Sequence, residues 1–410
     1  MKIIYKVLTL IVYAFLPFIS IFRIYKKKES IKSIKQKIGN YNLKPKKKLI
    51  WFHGSSVGEV LSVVPLIQEL EKNNNIDQIL ITSSTLSSGK VLSNIKFKKT
   101  VHQYYPIDVT FIAEKFLNYW KPKACIFIES EIWPNMVEKI KEKKLPLILL
   151  NARITKKSFK RWFKIRLFSQ NIFSKFDLCA PQNKETYYYL KRLGSKKLKN
   201  LGNLKLCDTN QKSLFKLKSS QKKFFKSKKV VLTGYSTHPT EEEFCVDIFE
   251  KIRKKKNEIL VLIPRHVERA NEIINQLKNR NLNIQKHSLG KRIQNNIDIY
   301  LIDTYGEAKK FFRYCKIIFA GGSIIPHGGQ NPLDPVRQNA IVLHGPNIQN
   351  FKEIYAFLNK EKISYQFRNL DQALKLVKNK KSVNINTKMK LKTISSKILK
   401  NTKSELMRYV

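Results

Sequence analysis

Residues 48–70 read KLIWFHGSSVGEVLSVVPLIQEL, which joins an apolar run, a turn and an amphipathic segment. The apolar run at 49–52 predicts a buried strand, and the spacing of apolar residues after the turn predicts a helix over about 58–72. A strand, a glycine-containing turn and a helix in this order are typical of one unit of a parallel α/β sheet. Glu59 lies where the predicted helix begins.

The turn itself, HGSSVGE at 53–59, has two interpretations. Gly and Ser suit tight turns, and the helix dipole favours Glu in the first helical turn. Alternatively, the loop lies at the carboxyl end of a parallel strand and forms part of a ligand site. In that case its backbone N–H groups suit an anion and the carboxylate can act as a base. The loop alone leaves both interpretations open.

The alternation of strands and helices continues along the chain on both sides of a polar, Lys-rich segment at 205–228. This pattern predicts two doubly wound α/β halves with a ligand between the carboxyl ends of their sheets. Before the break, further strands are expected at 78–84, 102–108, 124–130 and 145–153, with helices over about 87–94, 110–119, 132–143 and 158–171. After it, strands are expected at 230–236, 258–266, 282–288, 297–303, 316–323 and 340–346, with helices over about 239–254 and 267–279.

Composition limits the class of protein. The 410 residues are 42% hydrophobic, enough for two domains with real cores. The formal net charge of +50, from 80 Lys and Arg against 30 Asp and Glu, favours polyanionic partners such as an anionic membrane, a phosphorylated substrate or nucleic acid. Because Lys, Ile and Asn are all abundant, genomic composition is an alternative source of this charge. The five cysteines form no Cys-x-x-Cys pair and fit buried thiols in a reducing compartment.

The amino terminus predicts a membrane anchor. Residues 7–22 form an uncharged apolar run, which Pro17 is expected to kink, and Lys26, Lys27 and Lys28 follow it. A lysine cluster after the run argues against a cleaved signal peptide and places that end in the cytoplasm. The expected organisation is an anchor at 1–24, spanning or lying in the interface, domains at 25–212 and 213–385, and a basic helix at 386–410.

In the second half, the stretch KIIFAGGSIIPHGGQNPLDP at 316–335 contains two glycine pairs before a predicted helix start. Glycines allow a ligand to approach the backbone closely, and a helix N-terminus offers N–H groups to phosphate. Asp334, in the first turn, is placed to accept hydrogen bonds from ribose hydroxyls. The combination indicates a nucleotide site.

Four other residues and one turn carry weaker signals. Glu129 and Glu131 follow an apolar strand, and either could instead cap the next helix. Lys205 and Arg265 each follow a strand, where a solvated side chain is the usual outcome. The turn at 303–308, DTYGEA, could be a simple capping turn from Asp303 or Thr304 to Glu307.

Taken together, these motifs resemble one family over about residues 1–355: the 3-deoxy-D-manno-octulosonic acid (Kdo) transferases, the lipid A glycosyltransferases of Gram-negative bacteria. The motifs that carry the resemblance occur in the order HGSSVGE, IESEIWPN, LLNARIT, GNLK, GYSTHPTEEE, LIPRH, DTYGEA, GGSIIPHGGQNPLDP and HGPNIQNFKEI. The resemblance implies a GT-B fold of two Rossmann-like domains. It also implies transfer of Kdo from CMP-Kdo to the lipid A precursor (lipid IVA) at the cytoplasmic face of the inner membrane.

The resemblance also assigns residues. It makes Glu59 the general base of an inverting displacement and gives Glu129 and Lys205 transition-state roles. The positions that it assigns to CMP binding are Pro264, Arg265, Tyr305, Gly306, Glu307, Asn331, Pro332, Leu333 and Asp334. Two positions depart from the family pattern, Gln330 where His is usual and Asp334 where Glu is usual. The shorter Asp places contact with the ribose in doubt.

Other expectations concern cofactors and alternatives. The chain contains no Asp-x-Asp, so we expect neither a metal nor another cofactor. One alternative is another GT-B transferase or an epimerase that uses a UDP-sugar. A nucleic-acid-binding protein is disfavoured because the basic residues are spread along the chain rather than clustered with aromatic residues.

Overall fold

The computed structural model describes residues 1–207, 217–289, 293–379 and 385–410. The chain forms two compact units, one of residues 1–210 with 392–410 and one of residues 211–391. The expected connector at 205–228 lies partly outside the described residues, at 208–216.

The first unit contains a six-stranded sheet in which every neighbouring pair is parallel. Its strands are β1 (Leu49–His53), β2 (Gln78–Ser83), β3 (Thr100–Tyr104), β4 (Ala124–Ile128), β5 (Leu147–Ala152) and β6 (Leu178–Pro181). The spatial order is β3-β2-β1-β4-β5-β6, so the winding direction reverses between β1 and β4. This reversal is the topological switch point at which open α/β sheets bind ligands.

Both faces of this sheet are buried, which explains the continuous apolar runs of its strands. Leu49 and Trp51 pack in the core on one face, whereas Ile50 and Phe52 pack in the core on the other. The helices of this unit that precede the second unit are α1 (Lys2–Ala14), α2 (Leu16–Tyr25), α3 (Ile31–Lys37), α4 (Val57–Leu70), α5 (Leu86–Ser93), α6 (Thr110–Trp120), α7 (Pro134–Glu142), α8 (Lys156–Lys164), α9 (Arg166–Phe173) and α10 (Lys184–Arg192).

The second unit contains a seven-stranded sheet, also parallel throughout. Its strands are β7 (Lys229–Thr237), β8 (Glu258–Pro264), β9 (Ile284–Lys286), β10 (Ile299–Leu301), β11 (Ile317–Ala320), β12 (Ile341–His344) and β13 (Ser364–Gln366). Their order is β13-β12-β11-β7-β8-β10-β9, which puts the switch point between β7 and β11. The helices are α11 (Ser219–Ser227), α12 (Glu241–Ile252), α13 (Ala270–Gln276), α14 (Ala308–Phe311), α15 (Leu333–Arg337), α16 (Lys352–Lys360) and α17 (Leu370–Asn379).

The last helix, α18 (Ile385–Leu406), returns to the first unit, whereas a separate basic helix was expected at 386–410. Ile398 and Leu406 are buried in the same core as Ile50 and Phe52 of β1. Gly202, with φ at +90°, packs so closely under Ile398 that a Cβ there would lie 2.7 Å from its Cγ1. The carboxyl terminus is therefore part of the first core.

Several predicted elements differ from those observed. The strand predicted at 102–108 ends at Tyr104, because Pro106 follows and Asp108 caps α7 instead. The helix predicted over 158–171 is broken at Ile165, which has ψ at 50° and separates α8 from α9. The helix predicted from 267 begins as a 3-10 turn before α13. The short strands β6 and β13 were missed, since neither offers a long apolar run.

The apolar amino terminus forms two helices rather than one. In the described part of the chain no single helix is long and apolar enough to cross a membrane, but α1 and α2 meet that requirement jointly, with a 57° bend between them. Pro17 lies in the first turn of α2, where it removes a backbone N–H donor to the preceding turn.

Candidate active site

The switch point of the first sheet brings three carboxylates together. Glu59 follows β1 in the first turn of α4, and Glu129 and Glu131 follow β4, the neighbour of β1. Neighbouring parallel strands end at the same sheet edge, so residues far apart in sequence meet there.

Glu59 is held by the turn that opens α4. Its Oε2 accepts hydrogen bonds from the backbone N–H groups of Ser55, at 2.6 Å, and Ser56, at 3.2 Å. Ser56 Oγ in return accepts from the Glu59 N–H, which completes a capping box. The interpretation of HGSSVGE as a turn that places Glu59 in the first helical turn is therefore confirmed, and the same hydrogen bonds fix the carboxylate at the sheet edge.

The position of Glu59 at a helix start, with N–H groups nearby, predicts an ionised carboxylate, and the structure differs from this prediction. Burial raises its pKa to about 7, and the charges of Glu131 and Glu129 add to that shift, while the N–H groups of Ser56 and Ser55 oppose it only in part. A carboxylate with a pKa near neutrality is well matched to accept and release a proton.

The pKa of Glu131 is shifted in the opposite direction because hydrogen-bond donors surround its carboxylate. Its Oε2 accepts from Ser55 Oγ at 2.7 Å and Trp133 Nε1 at 2.8 Å, and it lies 2.9 Å from Nε2 of the fully buried His53. Burial acts to raise the pKa of Glu131, but these hydrogen bonds and the charge of His53 hold it below its usual range. The site therefore contains one carboxylate that stays charged and one poised to exchange a proton.

Glu129 forms an ion pair with the predicted Lys205. Its Oε1 lies 2.6 Å from Lys205 Nζ, and the Glu129 side chain is only 6% exposed. Glu129 adopts a left-handed backbone conformation, with φ at 56°, immediately after β4 ends. Lys205 sits in a short 3-10 turn whose backbone is held by Asn203 and by Asn151. Lys205 is therefore not an ordinary surface lysine.

Neither Glu129 nor Glu131 caps α7. Asp108 does so, since its carboxylate accepts from the backbone N–H groups of Asn135, at 3.1 Å, and Met136, at 2.8 Å. The sequence analysis missed this role, although the Pro-Ile-Asp that ends the strand prediction signals a chain that leaves the sheet.

In the second unit, the glycine turn after β11 is held by a residue that the sequence analysis did not single out. Glu241, fully buried in the first turn of α12, accepts hydrogen bonds from the backbone N–H groups of Gly322, Ser323 and Ile324 at 2.7, 3.1 and 3.1 Å, and from that of His238. These N–H groups are therefore not available to phosphate. The signal in the sequence that could have indicated this role is the Glu in GYSTHPTEEE, which lies where a helix begins.

Positively charged and imidazole side chains lie near the same edge of the second sheet. The ring of the buried His238 lies 4.2 Å from that of His327 and 6.0 Å from that of His266. The pKa of His238 is lowered to about 4, mainly by burial, and the neighbouring His327, His266 and Arg265 contribute to this shift. The positive charge of Arg265, which acts on His238, favours an anion at this edge.

The residues predicted to bind CMP lie at the end of β8, in the loops that follow β8, β10 and β11, and in the first turn of α15. Arg265 comes directly after β8 and is exposed. Tyr305 is 69% exposed and donates its hydroxyl hydrogen bond to Glu268, and Gly306 has φ at 79° with open space around it. Glu307 contacts His287 and Lys310 rather than forming a capping box.

The helix that follows the motif at 331–334 begins one residue later than the motif predicts, at Leu333 rather than Pro332. Asn331 Oδ1 accepts from the Leu333 N–H at 3.1 Å, and Pro332 precedes the first residue of α15. Asp334 is 3.0 Å from Lys309 Nζ and 3.5 Å from Arg337. The carboxylate that was expected to face a ribose therefore already has two cationic partners.

Comparison with known proteins identifies the family. The profile of the 3-deoxy-D-manno-octulosonic-acid transferases (kdotransferases) matches residues 32–207. The chain is 34% identical to the 3-deoxy-D-manno-octulosonic acid transferase of Rickettsia prowazekii over 357 residues, which cover 86% of this chain and 76% of the relative. The chain belongs to the Kdo transferase family. The Haemophilus influenzae enzyme of the same name is 31% identical over 75% of this chain and 73% of its own length.

The fold comparison agrees with two parallel-sheet domains of the GT-B type. The Kdo transferase chain resembles the UDP-GlcNAc 2-epimerase of Neisseria meningitidis with a TM-score of 0.56, at 13% identity, over 88% of this chain and 99% of the epimerase. This likeness is one of fold alone.

The predicted residues of the Kdo transferase thus fall into two groups. Glu59, Glu129 and Lys205 meet at one sheet edge in the first unit, and the predicted CMP-binding residues lie in loops of the second. In the described ranges, no group of three or more His, Cys, Asp or Glu side chains is placed to hold a metal ion.

Proposed function

We propose that this chain transfers Kdo from CMP-Kdo to the lipid A precursor, lipid IVA, in lipopolysaccharide biosynthesis, at the cytoplasmic face of the inner membrane. Membership of the family supports the reaction. The observation that carries the mechanism is Glu59, fixed at the switch point of the first sheet with a pKa near 7.

Glu59 acts as the general base. The acceptor hydroxyl oxygen bonds to the anomeric carbon of Kdo as the bond from that carbon to the CMP phosphate breaks, and Glu59 takes the hydroxyl proton. A pKa of about 7 suits a base that must also release its proton after each turnover.

Glu129 and Lys205 provide charge at the same edge. The Lys205 ammonium, 2.6 Å from Glu129, is a fixed cation that stabilises negative charge developing on the departing phosphate. The buried Glu129 orients that ammonium, so the two residues act as a pair.

The second unit binds the CMP part of the donor. Arg265, with the imidazoles of His238, His266 and His327 near it, supplies the positive potential that a phosphate requires. The predicted contacts are made by Pro264, Arg265, Tyr305, Gly306, Glu307, Asn331, Pro332, Leu333 and Asp334. Since CMP departs as an already acidic phosphate, neither a general acid nor a metal ion is required.

A product assay by mass spectrometry tests this function. The membrane-extracted full chain is incubated with freshly generated CMP-Kdo and lipid IVA, beside the variants Glu59→Gln and Glu69→Gln, the latter an ion-paired carboxylate later on α4. We expect product from the wild type and Glu69→Gln, with a mass that counts the Kdo residues added. Glu59→Gln should lose roughly 10²- to 10⁴-fold in rate while still binding CMP. Turnover of a UDP-sugar without any Kdo transfer would refute the proposal.

A further inference from the structure

A largely buried ion pair lies at the end of α3 in the first unit. The ammonium nitrogen of Lys37, the last residue of this helix, lies 2.6 Å from Glu29 Oε1. The side chains of Lys37 and Glu29 are only 14% and 5% exposed. Removing two charges from water is costly, so a pair of this kind is better suited to fixing one arrangement than to adding stability.

Glu29 is itself held by the helix that it precedes. Its Oε2 accepts a hydrogen bond from Ser33 Oγ at 2.6 Å, and its Oε1 lies 3.3 Å from Arg23. Ser33 is fully buried and forms, with Ser30, the capping box that begins α3. Burial acts to raise the pKa of Glu29, but the hydrogen bonds from Lys37 and Ser33 hold it below its usual range. Glu29 therefore stays charged and holds the Lys37 ammonium in one place.

Lys37 also reaches the sheet edge at which the candidate active site lies. Its Nζ donates a hydrogen bond to the backbone carbonyl of Ser84 at 2.8 Å. Ser84 directly follows β2, which is a neighbour of β1 in the sheet. Two backbone N–H groups hold the end of α3 at this edge, since Tyr104 donates to Gln36 Oε1 at 3.1 Å and Ile107 donates to the Lys37 carbonyl at 3.0 Å. The loop after β2 is therefore fixed by α3.

Ser84 in turn contacts the turn that carries Glu59. Its Oγ lies 2.8 Å from Ser55 Oγ, and its N–H donates to the Ser55 carbonyl at 3.4 Å. Ser55 Oγ donates its only proton to Glu131 Oε2 at 2.7 Å, so the Ser84 hydroxyl is the donor in the bond between the two serines. The Ser55 N–H donates to Glu59 Oε2 at 2.6 Å. A path through two serines therefore joins Lys37 to both carboxylates.

We propose that Lys37 is a positioning residue for the base of the transfer reaction. Its ammonium fixes Ser84, Ser84 fixes Ser55, and Ser55 holds Glu59 and Glu131 in the arrangement that the reaction requires. Lys37 thus acts on the reacting groups through the two serines. This inference deepens the proposed function and rests on it, since it takes Glu59 as the base.

Hydrogen exchange of the full chain, followed by mass spectrometry, measures the proposed link without any substrate. In Lys37→Met the Ser84 carbonyl loses a donor, so the loop after β2 and the turn at 53–59 should open more often. The amide to follow is that of Ser55, which donates to Glu59. We expect this amide to exchange roughly tenfold faster than in the wild type.

The matched control for hydrogen exchange is Lys139→Met. Lys139 belongs to α7 of the first unit, its side chain is 17% exposed, and it forms ion pairs with Glu114 and Glu142. We expect exchange at Ser55 to be the same in this control as in the wild type. Exchange at Ser55 that is unchanged in Lys37→Met, or equally faster in the control, would overturn the inference.

A double variant separates the lost hydrogen bond from a loss of stability. Lys37→Met alone leaves the buried Glu29 without its ammonium partner, which is destabilising in itself. The double variant, Glu29→Gln with Lys37→Met, contains neither charge and still lacks the donor to Ser84. We expect it to unfold at a higher temperature than Lys37→Met and to keep the faster exchange at Ser55. Wild-type exchange in the double variant would attribute the loosened turn to the unpaired Glu29 and overturn the inference.

Steady-state kinetics with CMP-Kdo and lipid IVA show whether the link serves catalysis. We expect kcat of the double variant to fall roughly 10- to 100-fold, with little change in KM for CMP-Kdo, because a misplaced base affects the chemical step. The Ser55 N–H lowers the pKa of Glu59, so loosening it should move the midpoint of kcat/KM to higher pH. Glu131 and Glu129, whose charges also act on Glu59, are retained in this variant. A wild-type midpoint and an unchanged kcat would mean that Lys37 does not position the base.

Ser84→Ala tests the path itself. This variant removes the hydroxyl that donates to Ser55 but keeps the carbonyl that Lys37 contacts. If the two serines carry the effect, adding Ser84→Ala to the double variant should reduce kcat by a smaller factor than Ser84→Ala does in the wild type. Losses that multiply without any coupling would overturn the path through Ser84.

The failure of this inference and the failure of the proposed function give different results. Hydrogen exchange uses neither CMP-Kdo nor lipid IVA. Faster exchange at Ser55 in Lys37→Met, beside a wild type that transfers no Kdo, would refute only the proposed function. A wild type that transfers Kdo, with a double variant that keeps wild-type exchange and wild-type kcat, would refute only this inference.

Discussion

His53 and Glu131 form a buried pair in which the imidazole Nε2 lies 2.9 Å from the carboxylate. His53 is the last residue of β1 and Glu131 follows β4, so the pair joins the two strands of the switch point. Glu131 also accepts from Ser55 Oγ, while the Ser55 N–H donates to Glu59. One serine thus connects the charged carboxylate to the candidate base.

The first prediction concerns pH. Because Glu59 must be unprotonated to act as a base and has a pKa of about 7, kcat/KM should rise with pH through a midpoint near 7. Glu131→Gln removes a negative charge that raises this pKa, so its midpoint should move to lower pH. Rate profiles from pH 5 to 9 check both expectations, and an unchanged or higher midpoint in the variant would contradict the electrostatic link.

The second prediction concerns stability. The folded state raises the pKa of Glu59 above that of a free carboxyl, so the folded state favours the protonated form. The stability contribution of that proton is present at low pH and is lost as pH rises through about 7. Glu59→Gln should therefore be more stable than the wild type at pH 8, by about 2 kcal/mol, and similar to it near pH 4.5. Thermal unfolding at both pH values measures the stability difference between Glu59→Gln and the wild type. A difference that is equal at both pH values would contradict the prediction.

The third prediction concerns the Glu129–Lys205 pair. Each single variant, Glu129→Gln and Lys205→Gln, should reduce kcat strongly, because each leaves a partner without its opposite charge at a largely buried position. The double variant should lose much less than the sum of the two losses in activation free energy. A double-mutant cycle on kcat measures the coupling, and additive losses would show that the residues act independently.

The fourth prediction concerns Glu241. Glu241→Ala leaves four backbone N–H donors without their acceptor and should cost about 3 kcal/mol or more of stability, with a loss of CMP affinity. The exposed Glu243, in the same helical turn, provides the matched control Glu243→Ala, which should change little. Calorimetry with CMP measures the CMP affinity, and thermal unfolding measures the stability. Unaltered CMP binding in a folded Glu241→Ala protein would show that the turn does not shape the donor site.

The fifth prediction concerns α18. Ile398→Ala should destabilise the protein by about 2 to 4 kcal/mol because Ile398 is buried in the core beneath β1. The adjacent Lys397 is exposed, so Lys397→Ala should be nearly neutral. Chemical denaturation compares them, and similar midpoints for both variants would argue that α18 contributes little to the core.

The fold was largely predictable because its strands are buried on both faces. Runs such as 49–52 have no polar alternation and mark parallel strands directly. The exceptions are local: β13 carries no apolar run, and the break at Ile165 falls within a continuous helical pattern.

The candidate site was predictable in its residues but not in its electrostatics. The position of Glu59 after β1 was predictable and its role as a base was implied by the family resemblance. Its raised pKa depends on burial and on Glu131 and Glu129, which approach only once the strands are ordered. The role of Glu241 was missed for the same reason. Three of its four partners lie about eighty residues away, and a Glu in a first helical turn is ordinary in sequence.

The return of α18 to the first unit has a consequence for biosynthesis. The ribosome releases the residues that complete the first core only after the entire second unit has been translated. Until the chain is terminated, the surface beneath β1 lacks Ile398 and Leu406, and the nascent first unit exposes apolar side chains that require protection. A premature stop codon shortly before α18 would therefore impair the unit made first, while the unit made last keeps its own sheet intact.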